Sequence, residues 1–147
     1  MSDDYRILLA IDLKPGTDRL LAETQRYAKA LNATVDVIHV GEPDPAFVGY
    51  IKVVDVERQS KAHDLRAEHQ QTQALGATLR ASGIRVDRTL MVQGPILPMI
   101  LEQAQKFGSD LLILGSHHHG ALYRLWYGDT ATDAVKQPPC AVLVVPV

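Results

Sequence analysis

The chain predicts an α/β fold, a doubly wound five-stranded parallel sheet with helices on both faces, and three observations carry that expectation. Short, continuously apolar runs at Arg6 to Ile11, Asp110 to Leu114 and Ala141 to Val145 have the character of strands covered on both sides. Between such runs lie segments whose apolar residues recur at helical spacing. The two patterns alternate along the whole chain, which means parallel strands joined by helical crossovers. Right-handed crossovers then leave only a few arrangements.

The first strand, Arg6 to Ile11, ends at Asp12, and Lys14-Pro15-Gly16-Thr17 turns the chain into a helix. From Thr17 to Leu31, residues Leu20, Leu21, Tyr27, Ala28 and Leu31 form its apolar stripe, and Asn32 supplies a stop. The second strand is Val35 to Val40, broken by the Gly41 to Asp44 turn and an irregular stretch to about Asp55. A long helix is expected from Val56 to Ser82, with Ala62, Leu65, His69, Thr72, Leu75 and Leu79 on one stripe and Gly83 as C-cap. Its outer face, rich in Gln, Arg, Glu and His, reads as solvated surface. Ile84 to Val92 is the third strand, and Gly94-Pro95 turns into a helix from Ile96 to Phe107. Pro98 falls in the first turn of that helix, where a missing N–H costs little, and Ile100, Leu101 and Ala104 point inward. The fourth strand leads into a loop from Gly115 to Gly128, a short helix from Asp129 to Lys136, and the closing strand.

A length of 147 residues suits one domain over residues 1–147, and 46% hydrophobic with 22% charged residues is ordinary for a folded cytosolic protein. A net charge of -2 without a basic run argues against nucleic acid as a partner. No apolar run is long enough to span a bilayer, and the acidic start Met1-Ser2-Asp3-Asp4 is unlike a signal peptide, so the cytoplasm is the expected compartment. Cys140 is the sole cysteine; it excludes an internal disulfide and a thiolate zinc site, and reads as a small core residue.

In doubly wound sheets, ligands sit beyond the carboxyl ends of the strands at the switch point. Asp12 and the loop after the fourth strand are expected to meet there. That loop, GSHHHGALYRLWYGD over residues 115–129, holds neither a Walker A sequence nor GxGxxG. Together with RILLAID at the start and PPCAVLVVP at the end, it resembles the universal stress protein family over nearly the whole chain. The resemblance implies a Rossmann-like fold of the adenine nucleotide alpha hydrolase kind, and a stress-response protein that is not an enzyme. In nucleotide-binding members the loop follows G-x2-G-x9-G-[ST]. Gly115 and Gly128 match its first and third glycines at full spacing, whereas His118 stands at the second glycine and Asp129 at the Ser or Thr. By the same resemblance Asp12 faces the adenosine, Val40 and Leu114 pack on the adenine, and ATP or AMP is the ligand. His117, within the loop, and Thr130, one residue past the expected hydroxyl, complete the candidate nucleotide set.

Both departures act against phosphate. Glycine in such a loop supplies a positive φ or room for close backbone approach, and His118 opposes both. Asp129, at the expected N-cap of the final helix, places a carboxylate on the N–H groups a phosphate would use. Arg124 in the loop can offset one negative charge. The histidine triplet His117-His118-His119 reads as loop surface rather than a metal site, because consecutive side chains diverge and no Cys or Glu stands beside them; His39 would have to approach from the side. Asp12 has a plainer role in capping the Lys14 to Thr17 turn, and Trp126 and Tyr127 suit loop cover or an interface. Ser116-His117 lacks the geometry of a nucleophile with its base, and the G-x-S-x-G frame is missing, so no catalytic residue is assigned. Two readings follow. One is a non-enzymatic stress-response homodimer, paired through the closing strand Ala141 to Val145 and lacking tight nucleotide binding. The other is an adenine-nucleotide sensor that regulates a partner protein.

Overall fold

The computed structural model describes residues 4–41, 55–118 and 138–147, with only the backbone path for 55–64 and 118. Five parallel strands form one sheet in the order β3-β2-β1-β4-β5, with β1 at Arg6–Ile11, β2 at Thr34–Gly41, β3 at Arg85–Gln93, β4 at Leu111–Gly115 and β5 at Ala141–Val145. The three inner strands are the most buried, as strands covered on both faces must be. Alternation along each strand sorts side chains to two cores. Ile7, Leu9, Ile11, Val35, Val37 and Ile113 meet helices α1 (Thr17–Leu31) and α2 (Asp55–Ala81) on one face. Leu8, Ala10, Ile38, Val40, Leu112 and Leu114 meet α3 (Ile96–Lys106) on the other. Helices therefore cover both faces, and the sheet is doubly wound. Chain order reverses between β1 and β4, which is the switch point.

The helices stop where their sequences say. Asn32 caps α1 in the left-handed conformation at φ 49°, its N–H returning to the carbonyls of Ala28 and Lys29. Leu20, Leu21 and Ala28 of α1, and Ile100, Leu101 and Ala104 of α3, are buried. The α2 stripe needs one correction: Thr72 and Leu79 are buried, but His69 is exposed and Gly76 takes a buried place. A Cβ at Gly76 would lie 2.6 Å from Oγ1 of Thr89, so α2 lies against β3 more closely than any side chain would permit. The irregular stretch after β2 and the expected helix Asp129 to Lys136 lie outside the described residues.

At the amino ends of the strands, Asp36 is 0% exposed in the middle of an apolar strand. It accepts from Nη2 of Arg6 at 3.0 and 3.2 Å and from the backbone N–H of Arg88 at 3.1 Å. That N–H is available because β3 bulges: two residues, Asp87 and Arg88, span the place opposite Asp36. Arg6 also bonds Asp87 at 2.8 Å, and the Arg88 guanidinium lies 4.4 Å over the Phe107 ring. Partial burial opposes the Arg6 charge, but Asp87 and Asp36 outweigh it and raise its pKa. The Arg6 hydrogen bond holds the Asp87 carboxyl below its usual range. The charges cancel within the group, so the buried carboxylate is compensated.

Candidate functional site

The switch point opens where β1 and β4 end. Asp12, one residue past β1, and His117, in a single 3-10 turn at Ser116–His118 past β4, meet across it. Nδ1 of His117 is 2.6 Å from Oδ2 of Asp12. A carboxylate only accepts, so Nδ1 carries the hydrogen and the tautomer is fixed. The other Asp12 oxygen accepts the backbone N–H of Lys14 at 3.0 Å, the turn-capping role expected of it. Thr17 closes the same turn through its hydroxyl on the Lys14 carbonyl at 2.7 Å. Between them Leu13 adopts φ 59°, a left-handed conformation costing roughly 1–2 kcal/mol for such a residue. Its side chain packs against the α1-side core, which holds it there. Backbone strain at this place is typical of sites rather than of scaffolding.

Val40 and Leu114 flank the crevice at the ends of β2 and β4, buried on the α3 face with the smaller Ala10 on the strand between them. Gly115 is the last residue of β4 rather than the first of a loop. Its bare face is already covered: a Cβ there would lie 3.0 Å from Val147 Cγ2. Val147 also covers Gly16 at the start of α1, where a Cβ would fall 2.6 Å from its own Cβ and the backbone has φ 101°. Ser116 fixes that residue twice, its hydroxyl accepting from the Val147 N–H at 3.0 Å and lying 3.2 Å from the Val147 carbonyl. The glycines thus make room for Val147 between the end of β4 and the start of α1, a packing role that sequence alone did not show.

Among the candidate residues, the structure therefore brings Asp12, Val40, Leu114, Gly115 and His117 to one end of the sheet. The His118 backbone follows His117 in the 3-10 turn, while Gly128, Asp129 and Thr130 lie outside the described residues. No three His, Cys, Asp or Glu side chains converge to hold a metal ion among the described residues. His39 turns away to the α1–α2 face, where its two ring nitrogens meet the Ile11 carbonyl and Glu68. Cys140 packs against the α3-side core; burial, with the nearby Asp110 charge, pushes its thiol pKa up and keeps it from acting as a thiolate.

A doubly wound sheet with a polar crevice at its switch point defines a class of α/β ligand-binding folds. The chain belongs within it to the universal stress protein family, whose sequence profile matches residues 5–146. It is 30% identical over 141 residues to universal stress protein A homolog 1 of Coxiella burnetii, covering 95% of this chain and 94% of that one. The fold is shared with a universal stress protein from Archaeoglobus fulgidus in complex with dAMP, at TM-score 0.63 and 15% identity, covering 98% of each chain. It is shared as well with a universal stress protein in complex with cAMP, at TM-score 0.62 and 16% identity, covering 99% of this chain and 98% of that one.

Proposed function

We propose that this universal stress protein is a single-domain, non-enzymatic cytoplasmic protein that acts as a homodimer and binds ATP weakly or not at all. The observation that carries the reading is the state of the crevice. Asp12, the residue expected to face adenosine, is held by His117 at 2.6 Å, and the bare face of Gly115 is filled by Val147. A nucleotide has to break the first contact and displace the second before it meets the His118 and Asp129 departures. The pairing surface is β5, an edge strand whose outer side carries no partner strand among the described residues. Ala141 is exposed and Val142 to Val144 are half-buried, an apolar edge of the kind that natural proteins cover.

The second reading, an adenine-nucleotide sensor that regulates a partner protein, draws on one fact. Two relatives in fold are described in complex with adenine monophosphates, dAMP and cAMP. A monophosphate brings less negative charge toward Asp129 than ATP does. Sedimentation velocity at micromolar concentration, with and without magnesium ATP, separates the two. A dimer that ignores nucleotide is expected. A monomer, or a dimer that assembles only with nucleotide, contradicts the first reading.

A further inference from the structure

The crevice at the switch point has two lips: the turn from Asp12 to Gly16 that follows β1, and the segment from Gly115 to His117 that leaves β4. Two contacts bridge them. One is the Asp12–His117 pair. The other is Val147, two residues beyond β5, whose side chain stands against both lips at once. A Cβ on Gly16 would lie 2.6 Å from Val147 Cβ, and a Cβ on Gly115 would lie 3.0 Å from Val147 Cγ2. Glycine at both positions is what admits the valine.

The hold on this residue is local and slight. Its N–H donates to the Ser116 hydroxyl at 3.0 Å, and its carbonyl accepts from the same hydroxyl at 3.2 Å. Ser116 neighbours His117 in one 3-10 turn, so a single short element holds both bridges. The β4–β5 ladder ends at Gly115 opposite Val145, so Val147 can leave without breaking any strand pairing. Val147 is also 37% exposed, and its departure uncovers little apolar surface.

We propose that Val147 is an autoinhibitory occupant of the crevice, tethered to β5, which a nucleotide must displace to reach the backbone of Gly115. The inference rests on the reading of the crevice as a degenerate nucleotide site and adds how that site is closed. A tethered side chain competes at a fixed effective concentration, whatever the protein concentration. The closed fraction lowers the apparent affinity in proportion. Two neutral hydrogen bonds to one hydroxyl, with a partly exposed valine, correspond to a penalty of about tenfold.

The test is calorimetric titration of the full chain with magnesium ATP, in two backgrounds: the natural protein and the His118→Gly, Asp129→Ser double variant. Each is measured with Val147 in place and as Val147→Gly. In the double-variant background Val147→Gly is expected to tighten binding about tenfold, while Val147→Thr, which keeps the branched shape, leaves it unchanged. Equal affinity with valine and glycine, equal tightening by threonine, or no binding by any of the four proteins overturns the tail as an occupant and leaves the weak-binding reading standing. Tight binding by the natural protein contradicts that reading instead, and the ratio between it and its Val147→Gly partner still decides the tail.

Discussion

Both ends of the sheet carry polar groups and use them in opposite ways. At the amino end, Arg6, Asp36, Asp87 and Arg88 neutralise one another inside a single network sealed by the Phe107 ring. At the carboxyl end, Asp12 and His117 are partly exposed, joined by one contact, and bordered by a strained Leu13 and by glycines under Val147. The buried Asp36 carboxylate at the first end is satisfied by Arg6 and by a backbone N–H of the sheet itself. Groups at the second end are satisfied by partners that a ligand could displace. The buried network and the partly exposed Asp12–His117 pair thus lie at opposite ends of the strands, the second at the end where doubly wound sheets place ligands.

Substitutions can break that contrast, beginning with the buried network. Asp36→Ala removes the acceptor of the bulge N–H and one of the two carboxylates that Arg6 bonds, and is expected to cost about 3 kcal/mol in urea unfolding. A loss below about 1 kcal/mol, the scale of an exposed pair, would make the network no more than surface decoration. Gly76→Val drives a side chain into Thr89 across the α2–β3 contact and is expected to cost about 1–3 kcal/mol by the same measurement. Acid titration should show a smaller effect from the amino end. The Asp87 carboxyl is held below its ordinary value of 3.8 chiefly by the Arg6 hydrogen bond. Its contribution is therefore complete above that pH and lost as pH falls through the lower folded value. Asp87→Asn should flatten the acid limb of the stability curve there. The smallest change is expected at the crevice: His117→Ala removes an exposed pair and should shift stability by less than about 1 kcal/mol.

Much of this was legible from the amino-acid order. Strand and helix positions followed from continuous apolar runs and helical spacing, and Asn32 marked the end of α1 as a residue tolerant of the left-handed conformation. The convergence of Asp12 and the Gly115 segment followed from topology. His69 misled because it fell on the stripe by spacing, whereas the neighbouring Gly76 occupied the close contact with β3. Asp36 carried a readable signal, a carboxylate inside an otherwise apolar strand, but its compensation depends on a β-bulge that no local pattern announces. The Val147 cover is a contact between segments more than thirty residues apart in sequence, with |i−j| of 31 to Ser116, and only the folded chain shows it. His39 looked like a sideways approach to the histidine loop, and strand alternation instead turns it to the α1–α2 face, where it meets the Ile11 carbonyl and Glu68.

Calorimetric titration with ATP and AMP in magnesium, on the natural protein and on a His118→Gly, Asp129→Ser double variant, tests the central claim most directly. Only the double variant is expected to bind ATP with saturable heat, because restoring the glycine and the hydroxyl removes the steric block and the competing anion. Tight ATP binding by the natural protein would contradict it and give the lead to the nucleotide-sensor reading.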